Sequence, residues 1–334
     1  MKKSITALLL AVLCLFSVAC EKQNVQTEAP ETTKAPENLV PETTQTPVVT
    51  PTEATMPQVT DVPWLKLPAD RTVTAGTYFV YSCETGEFLL FSRETDEKIY
   101  PTSATKLFTA YVALQYLTPG QTITAGKVLD IVPEDANLAG IRKKDTFTTE
   151  SLIGLMLISD GDDAAWLLAE AAGRMIYEKS GSSVSAADAV KRFMKEMNRQ
   201  TKLLGMENTQ FDNPAGIHSQ EHYTTCQDLA ILVTAALEDP VIRRQSATRQ
   251  ASFQLGGETV TWKNANELLH PESSYYCQAC LGLKTGETAD TGSYLVAAFE
   301  YLGQTLVVGV LDCADAQERF PDALQLLNKA FGIS

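Results

Sequence analysis

The spacing of apolar and polar residues changes period twice along this chain. Behind Met1-Lys2-Lys3 lies a nearly unbroken apolar run, Ile5 to Ala19. Two aromatic-rich runs, Thr77–Ser82 and Glu87–Phe91, flank Glu84-Thr85-Gly86 and predict a β-hairpin. The spacing then turns helical. It predicts helices over Thr105–Leu117, Thr149–Ile158, Asp163–Gly173, Ala186–Leu204 and Thr225–Leu237, with stops at Pro119-Gly120, Gly205 and Asp239-Pro240. Strand spacing returns over Ser293–Glu300 and Gln304–Leu311, joined at Tyr301-Leu302-Gly303, and a last helix is expected from about Asp315 to Phe331. Strands at both ends with helices between predict an α+β domain. Its antiparallel sheet is built from N- and C-terminal strands and flanked by a mainly helical subdomain. No internal repeat is visible.

The first run is too short for a membrane span and follows two lysines, as in an export signal. It ends in Ser17-Val18-Ala19-Cys20, which resembles a bacterial lipobox except that Ser17 stands where Leu is usual. Residues 1–19 are therefore expected to be a signal peptide and Cys20 a lipidated N-terminus that anchors the chain to the outer face of a bacterial membrane. An ordinary secretory signal with an incidental Cys is the alternative. Residues 21–61 hold six of the chain's 15 Pro, ten Thr, and seven acids against two Lys. Such a segment cannot bury enough apolar surface to offset its chain entropy, so a disordered tether is expected over residues 20–61, with the catalytic domain over 62–334.

The chain carries 27 Lys+Arg against 41 Asp+Glu, a formal net charge of −14. Losing Lys2 and Lys3 with the leader leaves −16, of which the tether holds −5 and the domain −11. This balance excludes a nucleic-acid partner. The three histidines, His218, His222 and His270, do not suggest a multi-His metal centre. Cys277-Gln278-Ala279-Cys280 lacks the second ligand pair that zinc needs, so a local pair or two thiols is expected, and neither metal nor cofactor. Outside the leader and Cys20, five cysteines remain: Cys83, Cys226, Cys277, Cys280 and Cys313.

Two short segments carry chemistry. In Tyr100-Pro101-Thr102-Ser103-Ala104-Thr105-Lys106, a Ser at a helix entrance has a Lys one turn later on the same face. A Ser hydroxyl needs a base within hydrogen-bond reach, and a Lys of depressed pKa can serve. The Ser N–H, free in the first helical turn, can help hold an oxyanion. Alone, this tetrad also fits a Ser N-cap followed by a solvent-facing Lys. In Gly282-Leu283-Lys284-Thr285-Gly286, Lys284 offers a cation to a carboxylate, Thr285 a hydroxyl, and Gly286 close backbone approach. Each motif occurs once, in this order, about 180 residues apart. Together they are the signature of class A β-lactamases and penicillin-binding proteins.

The surrounding residues narrow the likeness. Pro101 to Ala110 resembles the nucleophile segment of the serine D-alanyl-D-alanine carboxypeptidases, the low-molecular-mass penicillin-binding proteins of peptidase family S11. Phe211 to Ile217 is similar to their Asn-Pro-x-Gly loop, followed by His222-Tyr223-Thr224-Thr225 and Asp228-Leu229-Ala230. Lys263 to Leu269 resembles their Asn-x-Asn-x-Leu-Leu segment. Gly282 to Thr288, with Gly292 and Leu295 to Ala298, resembles their Lys-Thr-Gly strand. The resemblance spans roughly residues 75–334. It implies a β-lactamase/transpeptidase-like fold, Ser103 as acylated nucleophile and Lys106 as its base. Lys284 and Thr285 would hold the terminal carboxylate of a peptidoglycan stem peptide ending in D-Ala-D-Ala, and the N–H groups of Ser103 and Glu287 would form the oxyanion hole. It also implies covalent inhibition by β-lactam antibiotics. Only 48 residues follow Gly286, room for two strands and a helix but not for the C-terminal β-domain common in such proteins, so anchoring is expected at Cys20.

One motif departs. The family's Ser-x-Asn loop corresponds to Leu157-Ile158-Ser159-Asp160-Gly161-Asp162-Asp163-Ala164-Ala165. Counted from Gly154 it is Ser159-Asp160-Gly161; counted back from Asp163-Ala164-Ala165 it is Asp160-Gly161-Asp162. Ser159 is taken as the proton-relay residue, with Asp162 supplying the oxygen that Gly161 lacks. The three acids also suit a helix N-terminus without any catalytic part. Carboxylates near Lys106 would raise its pKa and weaken it as a base. Two other functions share these motifs. A class A-type β-lactamase would need a Glu-containing loop, and Phe211–His218 offers only Asp212 and Asn213. A non-catalytic peptidoglycan-binding chain has the altered loop as its only support.

Overall fold

The structure is a computed structural model that describes residues 62–333 except 63, 69, 94, 179–183 and 289–291. The chain divides between Met56 and Pro57, and all that follows concerns the second unit. The expected signal peptide, Cys20 and the whole of the tether lie outside the described residues.

The chain enters as a hairpin of β1 (Thr77–Ser82) and β2 (Glu87–Phe91), then β3 (Lys98–Ile99). A single 3-10 turn, Thr102–Ala104, leads into α1 (Thr105–Leu114). β4 (Thr122–Thr124) and β5 (Thr146–Thr148) pair with each other ahead of α2 (Thr149–Ser159), α3 (Asp162–Glu178) and α4 (Ala186–Leu203). β6 (Thr224–Thr225) pairs with β3 and opens α5 (Cys226–Glu238) and α6 (Pro240–Ser246). A hairpin, β7 (Gln250–Leu255) and β8 (Glu258–Lys263), precedes β9 (Cys280–Thr288), β10 (Gly292–Tyr301), β11 (Gln304–Cys313) and α7 (Arg319–Ala330).

Five strands form one antiparallel sheet in the order β2-β1-β11-β10-β9, so strands from the two chain ends meet at its centre, as expected. Each central strand feeds two cores with alternate residues. Tyr294, Val296 and Ala298 face the helical layer with Phe79, Val307 and Leu311. Leu295, Ala297 and Phe299 face the other way with Val80, Val308 and Val310, onto Phe320, Leu324 and Leu327 of α7. A one-residue slip would exchange the two faces, so the pattern fixes register. Both faces being covered explains why β10 and β11 read as continuous apolar runs rather than alternations. The stretch ahead of β1 is clipped onto α7. Trp64 Nε1 donates to Asn328 Oδ1 at 2.7 Å, and the buried Asp322 accepts from the N–H groups of Thr74 and Ala75.

Neither α6 nor the β7–β8 hairpin was foreseen. α5 stops at Glu238, ahead of Asp239-Pro240 as expected, but Pro240 then sits in the first turn of α6, where its missing N–H is harmless, and Asp239 caps that turn. The β7–β8 hairpin turns at Gly256-Gly257. The Lys-Thr-Gly segment lies in a strand, as the family resemblance implied: it is inside the nine-residue edge strand β9.

Candidate active site

Ser103 sits in the 3-10 turn at the mouth of α1, half-buried, with Lys106 fully enclosed one turn on. Lys106 Nζ lies 3.0 Å from Ser103 Oγ. The turn is held from outside by the loop after α4. Gly216 has φ +91°, and a Cβ there would fall 1.8 Å from the Thr102 carbonyl oxygen, so only glycine allows this approach. Asn213 braces that loop: its Oδ1 accepts from the N–H groups of Ala215, Gly216 and Ile217, and its Nδ2 donates to the Ile217 carbonyl. Thr109 donates to the Pro214 carbonyl at 2.6 Å. His222 is buried, with Nε2 2.8 Å from Thr105 Oγ1 and Nδ1 2.9 Å from Asp212 Oδ1. His222 holds the Asp212 carboxyl down at about 2, against its partial burial.

The α2–α3 corner closes the other side. Ser159 is the last residue of α2, and its Oγ turns back to the Leu155 carbonyl at 2.7 Å while accepting from Gly161 N–H at 3.1 Å. That corrects the expectation for Ser159: a hydroxyl bonded to its own helix is not the group that meets Ser103. Asp160 takes that place. It leaves the helix in the left-handed region, φ +61°, which swings its carboxylate into the cleft. Its Oδ2 accepts from Ser103 Oγ at 3.3 Å, and its Oδ1 lies 2.9 Å from Lys106 Nζ and 3.1 Å from Lys284 Nζ. Asp162 Oδ1 is 2.7 Å from Lys106 Nζ, and its other oxygen accepts from Asn137 N–H. Asp163 has a structural task, accepting from the N–H groups of Ala139, Gly140, Ile141 and Ala164. The count from Ala164 and Ala165 is thus the spatial one.

β9 supplies the third wall. Cross-strand pairing sets Lys284 opposite Val296 and Gly286 opposite Tyr294, on the helical face, and Thr285 opposite Leu295. The Thr285 hydroxyl donates to the Tyr294 carbonyl at 2.7 Å, and Lys284 Nζ also donates to the Thr285 carbonyl. A Cβ at Gly286 would strike the Tyr294 hydroxyl, so the close neighbour there is a side chain of β10. Glu287 is exposed at the strand's end. Two residues had no sequence signal. Tyr294 is buried beside Ser103, and burial, with the Asp160 charge adding, pushes its phenol well up. Arg319, at the start of α7, is buried near Glu287. Its Nε and Nη1 have no hydrogen-bond partner among the described residues, and burial lowers its pKa against the pull of Glu287.

The charges inside the cleft are two ammonium groups and two carboxylates. Burial pulls Lys106 down, but Asp160 and Asp162 outweigh it and hold the ammonium above its ordinary value. Burial lowers Lys284, opposed only in part by Asp160. Burial raises Asp160, yet the two lysines outweigh it and hold the carboxyl below its ordinary value. Asp162 is raised by burial despite Lys106. Among the described residues, no group of three or more His, Cys, Asp or Glu is placed to hold a metal. The five cysteines are free thiols, and burial pushes Cys280 up to about 12. A cavity of about 590 Å³ beside α3 and β4 contains none of these residues.

The family model for D-alanyl-D-alanine carboxypeptidase, Peptidase S11, matches residues 65–315. The D-alanyl-D-alanine carboxypeptidase of Streptomyces sp. strain K15 is 29% identical over 254 residues, covering 73% of this chain and 83% of that protein. The D-alanyl-D-alanine carboxypeptidase DacF of Bacillus subtilis is 25% identical, covering 74% of this chain and 60% of that protein. The crystal structure of the Streptomyces K15 DD-transpeptidase superposes with a TM-score of 0.68 at 28% identity, covering 78% of this chain and 98% of that one. Penicillin-binding protein D2 of Listeria monocytogenes, in its ampicillin-bound form, superposes with a TM-score of 0.62 at 26% identity, with 78% and 98% covered.

Proposed function

On the premise that this chain belongs to the D-alanyl-D-alanine carboxypeptidase family, peptidase S11, we propose that it removes the terminal D-Ala from peptidoglycan stem peptides through an acyl-enzyme on Ser103. One observation carries the assignment of the nucleophile: the Ser103 hydroxyl meets both the buried Lys106 ammonium and a carboxylate, inside a cleft walled by β9. Ser103 Oγ attacks the penultimate D-Ala carbonyl, and the N–H groups of Ser103 and Glu287 receive the developing oxyanion. The leaving D-Ala carries a carboxylate toward β9. There Lys284 meets it, and Thr285 exchanges its bond to the Tyr294 carbonyl for the new acceptor. Arg319 adds a cation whose Nε and Nη1 have no hydrogen-bond partner among the described residues. Water then hydrolyses the ester, and a β-lactam acylates the same Ser.

The expected anchor belongs to the same reading. Lipidation at Cys20 and a tether over residues 21–61 would hold this domain at the outer face of the membrane, supported by the apolar leader and the Thr/Pro-rich composition. Replacing Cys20→Ser should release the protein from membranes; unchanged membrane association would count against the lipobox. For the chemistry, D-Ala release from a pentapeptide is measured for the wild type and Ser103→Ala. Release and penicillin labelling should both vanish in the variant, and equal release from both proteins would remove Ser103 from the mechanism.

A further inference from the structure

We propose that Asp160, rather than Lys106, takes the proton from Ser103 when the acyl-enzyme forms, and returns it to the leaving amine. The inference rests on the reading that Ser103 is acylated. Ser103 Oγ has Lys106 Nζ at 3.0 Å on one side and Asp160 Oδ2 at 3.3 Å on the other. An ammonium donates and cannot accept, so the carboxylate is where the hydroxyl proton points.

Lys106 is badly placed to lose its own proton. Its Nζ touches two carboxylates, 2.9 Å to Asp160 and 2.7 Å to Asp162. A lysine of even ordinary pKa is neutral in only about one molecule in 3,000 at pH 7, and these two anions make that fraction smaller. Asp160 is ionised at the same pH, and about a quarter of its side chain (27%) opens to the cleft. The groups facing it are Lys106 from α1, Lys284 from β9, Asp162 from α3 and Tyr294 from β10. With Lys284 as counter-ion, the resting carboxylate is a weak base. A substrate carboxylate arriving at Lys284 shares that cation and raises the proton affinity of Asp160 at the moment of attack.

The step balances. The Ser103 O–H bond breaks, its proton passes to Asp160 Oδ2, and the oxygen pair forms the bond to the substrate carbonyl carbon. Collapse of the tetrahedral intermediate breaks the C–N bond, and the departing nitrogen takes the proton back from Asp160. In deacylation, water delivers a proton to Asp160 as its oxygen attacks the ester, and the Ser103 oxygen recovers that proton. Lys106 stays charged throughout and stabilises negative charge on Oγ.

The test is the second-order rate of acylation by a fluorescent penicillin, followed on the full chain from about pH 5 to pH 9. The wild-type rate should be nearly level across that range. Asp160→Asn should fall at least about 100-fold at pH 7 with an unchanged melting temperature. Asp160→Ser should recover part of the rate only as pH rises, because it leaves a lysine as the sole base. A wild-type rate that climbs about tenfold per pH unit overturns the proposal, as does Asp160→Asn acylating within about threefold of wild type. Should Asp160→Asn fail to fold, the wild-type and Asp160→Ser profiles decide alone. Adduct formation by intact mass separates the two levels. A wild type without a Ser103 adduct sinks the nucleophile assignment and this inference together, whereas a normal adduct with an indifferent Asp160→Asn sinks this inference only.

Discussion

The loop around Asn213 and the α2–α3 corner both press on the turn that carries Ser103, and each brings acidic side chains to it. In the loop, Asp212 is answered locally by His222, Ser219 and Asn213, and its charge goes no further. What the loop gives the turn is shape: Gly216 against the Thr102 carbonyl and Thr109 on the Pro214 carbonyl. At the corner, Asp160 is answered by the two lysines of the cleft and by Ser103 itself. One region positions Ser103 by contact and the other sets its electrostatics. A buried acid near a reactive group is thus informative only through its partners.

The contrast can be broken at several points besides Asp160. Asp163, one residue beyond Asp162, has no lysine partner and should behave as pure structure. Asp163→Ala strips four N–H groups of their acceptor and should cost about 3 kcal/mol or more of unfolding free energy, read from urea midpoints. If that variant keeps its stability, the corner's rigidity comes from elsewhere. Gly216→Ala should cost at least about 2 kcal/mol and reduce penicillin acylation more than stability alone explains, since the loop must draw back from Thr102. Acylation at the wild-type rate would show that shape is not what the loop provides. Asp212→Asn should be the mildest, below about 1 kcal/mol, because that side chain is more than a third exposed. Its folded pKa of about 2 lies below the unfolded value, so its contribution is present above about pH 4 and fades as pH falls through about 2. Urea midpoints of wild type and Asp212→Asn should therefore converge in that window, and a constant gap would mean the pair acts by packing.

Much of this was legible because the local signals agreed with one another. The β1–β2 hairpin fell where aromatic runs flank Glu84-Thr85-Gly86, and α4 ended beside Gly205. Ser103, Lys106 and Lys284 were singled out because their neighbours matched a family pattern over most of the chain, and the structure brings the three side chains into one cleft. Ser159 failed for a geometric reason. Adjacent residues at a helix end part company when one turns left-handed, and nothing in the letters Ser-Asp-Gly-Asp says which. Asp163 anchored the count that proved spatial, since its carboxylate caps a loop from the start of α3. Tyr294 was invisible because it meets the cleft only through the strand pairing, and Arg319 because only the packing of α7 brings it near Glu287. The β7–β8 hairpin had its sign in Gly256-Gly257 between two alternating runs.

The clip of residues 64–75 over α7 has a mechanical meaning. Tension arriving from upstream of Val62 enters the domain through Trp64, and then through the bonds on Asn328 and Asp322. Those bonds load α7, which lies across the sheet from the helical layer that carries Ser103. The sheet between them, five strands wide and packed on both faces, serves as a bulkhead. A pull on the leading chain is spread over that layer before it can move Ser103 against Asp160.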